Sequence, residues 1–213
     1  MGLCFQHKKE FIINPKREVL DLTKIKPPAR EAYVNHFAGV KKLLKPFAHA
    51  HVVQSTRGCL AKCAFCVTHA VYGSCYRKWP IDIVLEDMDR VKHQGGKIVW
   101  LADEDPFFDA NYFSSLLKGM IDNKLNTFKI ITSTSSLHLS RRPDIVPLMR
   151  EAGIESAIIG IETFDDQTLQ LYNKKWNKIE FHQKAIEILA KSHIHSTATF
   201  LVGSPNDSEE SLL

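Results

Sequence analysis

No apolar run in this chain is long enough to cross a bilayer, which excludes a transmembrane helix. The first ten residues, MGLCFQHKKE, hold no secretory hydrophobic region, and Gln6 stands where a myristoylation signal needs Ser or Thr. The cytoplasm is the expected compartment. Cysteine is scarce. There are five, and an odd, mostly clustered set argues against a secreted disulfide framework and for metal or redox chemistry. There is no low-complexity tract and no tandem repeat. The net charge is only +4, from 28 Lys and Arg against 24 Asp and Glu, and the basic runs are short, such as Lys41-Lys42 and Lys174-Lys175. No aromatic-basic recognition motif accompanies them, so solvated faces explain them and nucleic acid is not an expected partner. What remains is 44% hydrophobic and 24% charged, ordinary for a globular chain with a sizeable core.

Residues 1–45 read as a linker-like lead-in, with two adjacent prolines, mixed charge and room for one short strand and one short helix. Residues 46–213 read as one core domain. From His51 onward, β-rich runs alternate with helical periods. HVVQST, KIVWLA, FKIITSTS, SAIIGIET and STATFLVGS are the five strands. Between them, Pro80 opens a helix with Ile81, Val84, Leu85, Met88 and Val91 on one face. Phe113 to Ile121 marks a second helix, Pro143 to Met149 a third, and a fourth helical region breaks near Asn173 before Phe181, Ala185 and Ile188. Alternation of this kind implies right-handed crossovers and a parallel α/β sheet. Each strand is apolar in its body and polar just past its C-terminal end, at Ser55, Asp103, Ser133, Glu162 and Ser204. That edge is where parallel α/β folds bind ligands.

The first strand runs straight into RGCLAKCAFC, with cysteines at 59, 63 and 66 and Phe65 before the last. Clustered thiolates bind zinc or iron-sulfur clusters. A structural zinc site wants four ligands, and no second C-x2-C or matching His pair is present. Three cysteines on a four-iron cluster leave one iron open, and an open position is where a substrate or cofactor binds. A redox C-x2-C pair and a chance cluster are the bland alternatives.

This C-x3-C-x2-C motif, with its aromatic residue, resembles the signature of the radical S-adenosylmethionine (SAM) superfamily. The continuation CVTHAVYGSCYRKWPIDIVLEDM is similar to the cobalamin-binding branch. WLADEDPF and MREAGIESAIIGIET look most like the anaerobic magnesium-protoporphyrin monomethyl ester cyclases. The resemblance implies that Cys59, Cys63 and Cys66 hold a 4Fe-4S cluster whose fourth iron chelates SAM. One electron would then cleave SAM to a 5′-deoxyadenosyl radical that abstracts hydrogen. It also implies a small-molecule substrate of tetrapyrrole type and an electron donor such as flavodoxin or ferredoxin. By family position, Glu104 first and Asp103 second would receive the methionyl ammonium. Glu162, Ser133 and Phe65 would flank the cofactor. Gly58 would let the loop turn tightly.

Radical methyltransferase and methylthiotransferase activities are the alternatives within the family. A non-catalytic iron-sulfur protein or an inactive fragment is the alternative outside it. Cys75 reads as a free, partly buried thiol, Cys4 as inert, the paired histidines at 49/51 and 193/195 as ordinary strand residues, and Phe107 and Phe108 as packing. A full core of this family has six strand-helix units, and five strands are countable here. NDSEESLL would open a further helix capped by Asn206 or Asp207. The expectation is therefore a partial (β/α)6 TIM-like barrel, open after its fifth strand. The branch's cobalamin-binding domain would lie outside this sequence.

Overall fold

A computed structural model describes residues 4–15, 18–31 and 50–208. The lead-in begins with an antiparallel hairpin of β1 (Cys4–His7) and β2 (Glu10–Ile13), turning at Lys8, whose φ is +55°. The turn contains neither Gly nor Asn, so the sequence signals one strand where there are two. Further on, Leu22 is buried in the core, and Arg30 makes two 2.6 Å contacts with Asp87 while donating to the Val52 carbonyl at 2.7 Å. That bidentate pair fastens the residue 18–31 stretch to the core.

The core sheet has five parallel strands: β3 (Ala50–Val53), β6 (Ile98–Leu101), β7 (Lys129–Thr134), β8 (Ile154–Glu162) and β9 (His195–Phe200). Two short strands, β4 (Thr56–Arg57) and β5 (Arg77–Lys78), form an antiparallel clasp beside it. Order in the large sheet is β3-β6-β7-β8-β9, sequential throughout. Sequential parallel neighbours joined by right-handed crossovers put every connecting helix on the same side. The chain thus has the α/β parallel-sheet class expected, and among the described residues no strand joins β9 back to β3.

The helices are α1 (Thr68–Tyr72), α2 (Ile81–His93), α3 (Ala110–Asp122), α4 (Ser136–Arg141), α5 (Val146–Glu151), α6 (Asp166–Leu171) and α7 (Ile179–Lys191). Val53, Val99, Leu101, Ile130 and Ile159 point at this layer and are buried with Met88, Phe113, Leu116 and Leu189. Removing each such side chain from water contributes roughly 1.5–3 kcal/mol. Residues one position along each strand face the other way, and Val52 and Trp100 are left exposed there. The fourth crossover breaks where the sequence marks it, between α6 and α7, with Asn173 at φ +53°. Helix α4 lacks the apolar periodicity of its neighbours and was not legible. Asp207 accepts from the Gly203 and Ser204 amides at 2.7 and 2.9 Å, and residues 209–213, where a further helix was expected, lie outside the described residues. No helix among the described residues is long and apolar enough to cross a membrane.

Candidate metal and cofactor site

The cysteine loop is built by its anchors. Asp103, just past β6, accepts the Ser55 and Thr56 amides, each at 2.8 Å, and the Ser55 hydroxyl in a very short contact. This fixes where the chain leaves β3. Gly58 follows at φ +94°, and a Cβ there would lie 2.2 Å from the Cys75 carbonyl oxygen, so only glycine fits. The Gly58 amide donates to Glu104 Oε2 at 3.1 Å. The far side of the loop is tied to the α6–α7 break. The Ala64 amide donates to the Tyr172 carbonyl at 2.9 Å, and Asn173 Nδ2 to the Lys62 carbonyl at 2.8 Å. Phe65 stands edge-on to Tyr172 with centroids 5.2 Å apart.

These anchors leave a cleft of about 250 Å³ at the C-terminal edge of the sheet. Cys59, Cys63 and Cys66 all line it, together with Phe65, Glu104, Ser133 and Glu162. Asp103 does not. Cys75 is elsewhere, its thiol directed at the Tyr72 carbonyl at 3.0 Å. Burial pushes the Cys59 thiol up to about 11, with Asp105 and the other two thiols adding to the effect. Metal loading must therefore release a proton here at neutral pH. Among the described residues no three His, Cys, Asp or Glu side chains gather closely enough for a single metal ion. Thiolates around a polynuclear cluster each hold a different iron and need not converge. Three thiols spaced along one cleft wall therefore fit a cluster better than a zinc ion.

The three consecutive acids do different things. Asp105 is saturated: it accepts from the Phe107 and Ser135 amides, the Thr134 hydroxyl and His138 Nδ1 at 3.1, 3.0, 3.2 and 2.8 Å. Asp103 is 2% exposed and devoted to the loop anchor. Glu104 lines the cleft and gives one oxygen to Gly58, leaving the other without a protein partner among the described residues. Burial pushes Asp103 up from 3.8 to about 6, outweighing the hydrogen bonds from Ser55 and Thr56. The folded chain thus holds this proton more tightly than the unfolded chain. The resulting stability is full below pH about 4 and is lost as pH rises through about 6. The shift corresponds to a loss on the order of 3 kcal/mol. Asp103→Asn keeps an oxygen for both amides and an NH2 for the Ser55 hydroxyl, so this loss should be absent in the variant. Urea midpoints of the two proteins across that pH range check it; parallel pH curves would exclude Asp103 as the titrating group.

Opposite the acids stands a buried pair that the sequence did not announce. Lys174 Nζ meets Glu162 Oε1 at 2.6 Å and donates to the Gly160 carbonyl at 2.9 Å, and both side chains are more than nine-tenths buried. Glu162 sits at φ +70°, a strained conformation for a non-glycine residue. Asn177 holds the turn by donating to the Gly160 and Ile161 carbonyls at 3.2 and 3.1 Å. Its remaining oxygen faces the Ser136 hydroxyl at 3.0 Å, and that hydroxyl lies 2.8 Å from His182 Nδ1. With one hydroxyl proton available, Ser136 donates to Asn177 and accepts from His182 Nδ1–H. Burial, and then Lys174, hold the His182 pKa below its ordinary value and favour that neutral ring. Lys174 lies in the helical break and Ser136, His138 and His182 on helices, where polar residues read as solvated faces.

A parallel sheet with a triple-cysteine loop and a carboxylate-lined cleft at its C-terminal edge defines a metallocofactor-binding α/β protein. A profile of the radical SAM superfamily matches residues 53–213, and the chain belongs to that superfamily. It is 28% identical over 170 residues to a bacteriochlorophyllide d C-12(1)-methyltransferase of Chlorobaculum tepidum, covering 78% of this chain and 36% of that protein. It is also 28% identical over 152 residues to an anaerobic magnesium-protoporphyrin IX monomethyl ester cyclase of Synechocystis sp., covering 71% of this chain and 30% of that protein. The chain thus spans about a third of the length of these relatives. The cobalamin-dependent SAM radical enzyme OxsB, with aqua-cobalamin bound, superposes with a TM-score of 0.75 at 19% identity, over 97% of this chain and 31% of that one. That likeness shows the fold.

Proposed function

We propose that this chain is the cluster- and SAM-binding core of a radical SAM enzyme, with Cys59, Cys63 and Cys66 as the cluster ligands. The observation that carries the reading is that these three thiols, and not Cys75, line the cleft that also contains Glu104, Glu162 and Lys174. When bound, the cluster supplies the electron that cleaves the sulfonium of SAM and yields a hydrogen-abstracting radical. The chain's own residues bind and orient. Glu104, with its spare oxygen, holds the ammonium of SAM by a charge-assisted hydrogen bond. Lys174 offers a cation to the carboxylate, and Glu162 fixes where that cation sits. Phe65 and Ser133 form the walls. Cys59, whose thiol burial holds well above its ordinary value, would give up its proton on loading.

The reaction class we infer is radical chemistry on a tetrapyrrole. The methyltransferase and cyclase relatives both support that substrate, and the methyltransferase is matched over more of this chain. Methyl transfer is therefore the first reading. Cyclisation is the second, favoured by the likeness of WLADEDPF and MREAGIESAIIGIET to the cyclases. The test is anaerobic reconstitution with iron and sulfide, dithionite reduction with SAM, and chromatography of the products. Slow release of 5′-deoxyadenosine is expected. Measured by calorimetry on the reconstituted chain, Glu104→Gln should weaken SAM binding by roughly 1.5–3 kcal/mol, the worth of a charge-assisted hydrogen bond. Unchanged calorimetric affinity in Glu104→Gln would remove Glu104 from the site.

A further inference from the structure

The antiparallel clasp beside the core sheet sets two arginines against each other. Arg57 on β4 stands directly opposite Arg77 on β5, so the two side chains leave the same face of the ribbon. Like charges in that register repel, and both residues are half-buried. Neither belongs to an ion pair among the described residues. Asp87 is taken by Arg30, and Asp109 by Lys78, the neighbour of Arg77. The two guanidiniums have neutral partners instead. Arg57 Nε donates to Gln54 Oε1 at 3.0 Å, and the guanidinium carbon lies 5.9 Å from the centre of the Trp79 ring. Arg77 Nη1 donates to the Leu20 carbonyl at 3.0 Å. Arg77 Nε is shielded from solvent and has no hydrogen-bond partner among the described residues. A charged donor buried without an acceptor is costly, and the fold keeps this one.

Both arginines line a cavity of about 230 Å³ that shares no lining residue with the thiol cleft. Val19 and Leu20 of the lead-in and Val71 and Tyr72 of α1 form its other walls, and the three aliphatic ones are each more than half exposed. Glu18 also lines it, but is exposed and pairs with neither arginine among the described residues. We propose that this cavity binds a phosphate monoester, with the phosphate between Arg57 and Arg77 and the organic part against the apolar walls. Planar guanidinium forks match the oxygens of a phosphate in pairs. A phosphate monoester carries about −1.5 to −2 charge at pH 7, which answers two arginines where a carboxylate answers one. Its oxygens would replace the cross-strand repulsion by two attractions and give Arg77 Nε an acceptor. Free phosphate could do that too, but it would leave Val19, Leu20 and Val71 in water, whereas an organic group covers them. The cavity borders the start of the cysteine loop. Arg57 is followed at once by Gly58 and Cys59, and a Cβ at Gly58 would lie 3.6 Å from Tyr72 Cβ. A bound ester therefore clamps the chain where it enters the loop.

The experiment measures binding of phenyl phosphate, inorganic phosphate and benzoate to the full chain by calorimetry, before and after iron loading. Phenyl phosphate is expected to bind in both forms, at least about tenfold more tightly than benzoate, which lacks the second charge. It should also bind at least about tenfold more tightly than inorganic phosphate, which lacks the apolar part. Arg57→Gln/Arg77→Gln, checked for native circular dichroism, should bind phenyl phosphate at least about tenfold more weakly. Arg77→Gln alone keeps the residue beside the cysteine loop intact and should weaken binding in the same direction. Its urea midpoint without ligand should be no lower than the parent's, because the opposed charge is gone. Arg141→Gln, on α4, should bind as the parent does. Equal binding of phenyl phosphate by Arg77→Gln would overturn the proposal. Benzoate binding as tightly as the ester would overturn the phosphate assignment, and inorganic phosphate binding as tightly would mean an adventitious ion only. The calorimetry of the iron-free chain uses neither cluster nor SAM, so the site stands or falls apart from the functional reading above.

Discussion

Changing Cys59, Cys63 or Cys66 to Ala should abolish the iron content of the reconstituted chain, whereas Cys75→Ala should load like the parent. Three thiols are the minimum for a cluster with one open iron, so losing any one leaves two protein ligands and no stable cubane. Cys75 is held against the Tyr72 carbonyl and does not reach the cleft. Iron and sulfide assays on the four variants, with circular dichroism to confirm folding, make the comparison. Loss of iron in Cys75→Ala would indicate a closed, all-cysteine site and remove the open position on which SAM binding depends.

The second large effect is expected at Lys174. Lys174→Met leaves the Glu162 carboxylate more than nine-tenths buried with no cation beside it. Breaking a buried pair from one side costs about 3–5 kcal/mol. The urea midpoint should fall accordingly, and SAM affinity should fall with it. A Lys174→Met/Glu162→Gln double variant separates the two consequences. It removes the stranded charge, so much of the stability should return, while SAM affinity stays low because the cation is gone. Full recovery of both would make the pair purely structural; recovery of neither would point to the strained turn at Glu162 as the feature that matters.

The elements that carry apolar periodicity were legible in the sequence, because burial on one face writes a pattern that survives without contacts. Thus α2 starts behind Pro80, β6 and β7 are the apolar runs, and the fourth crossover breaks at Asn173. The cysteine loop and its place at the sheet edge were legible from spacing and order alone. The family resemblance ranks Glu104 ahead of Asp103. The residues' own pattern does not say which of the three adjacent acids keeps an oxygen free at the cleft, which Glu104 and Asp105 both line. Asp103, Glu104 and Asp105 differ only in their partners, and Ser55, Thr134, Ser135 and His138 arrive from 29 to 48 residues away. The Lys174–Glu162 pair stayed hidden for the same reason, since a lysine in a helical break reads as solvent-facing until the fold buries it. The β1–β2 hairpin was missed because its turn uses lysines with one positive φ in place of the usual Asn or Gly.

The measurement that bears most directly on the central reading is the electron paramagnetic resonance spectrum of the reduced, reconstituted chain, recorded before and after adding SAM. With three cysteine ligands and one open iron, the signal should change on addition of SAM in the parent. It should be absent in the Cys59, Cys63 and Cys66 variants. A cluster present at full iron content whose signal is unchanged by SAM would contradict an open iron and leave a non-catalytic iron-sulfur protein.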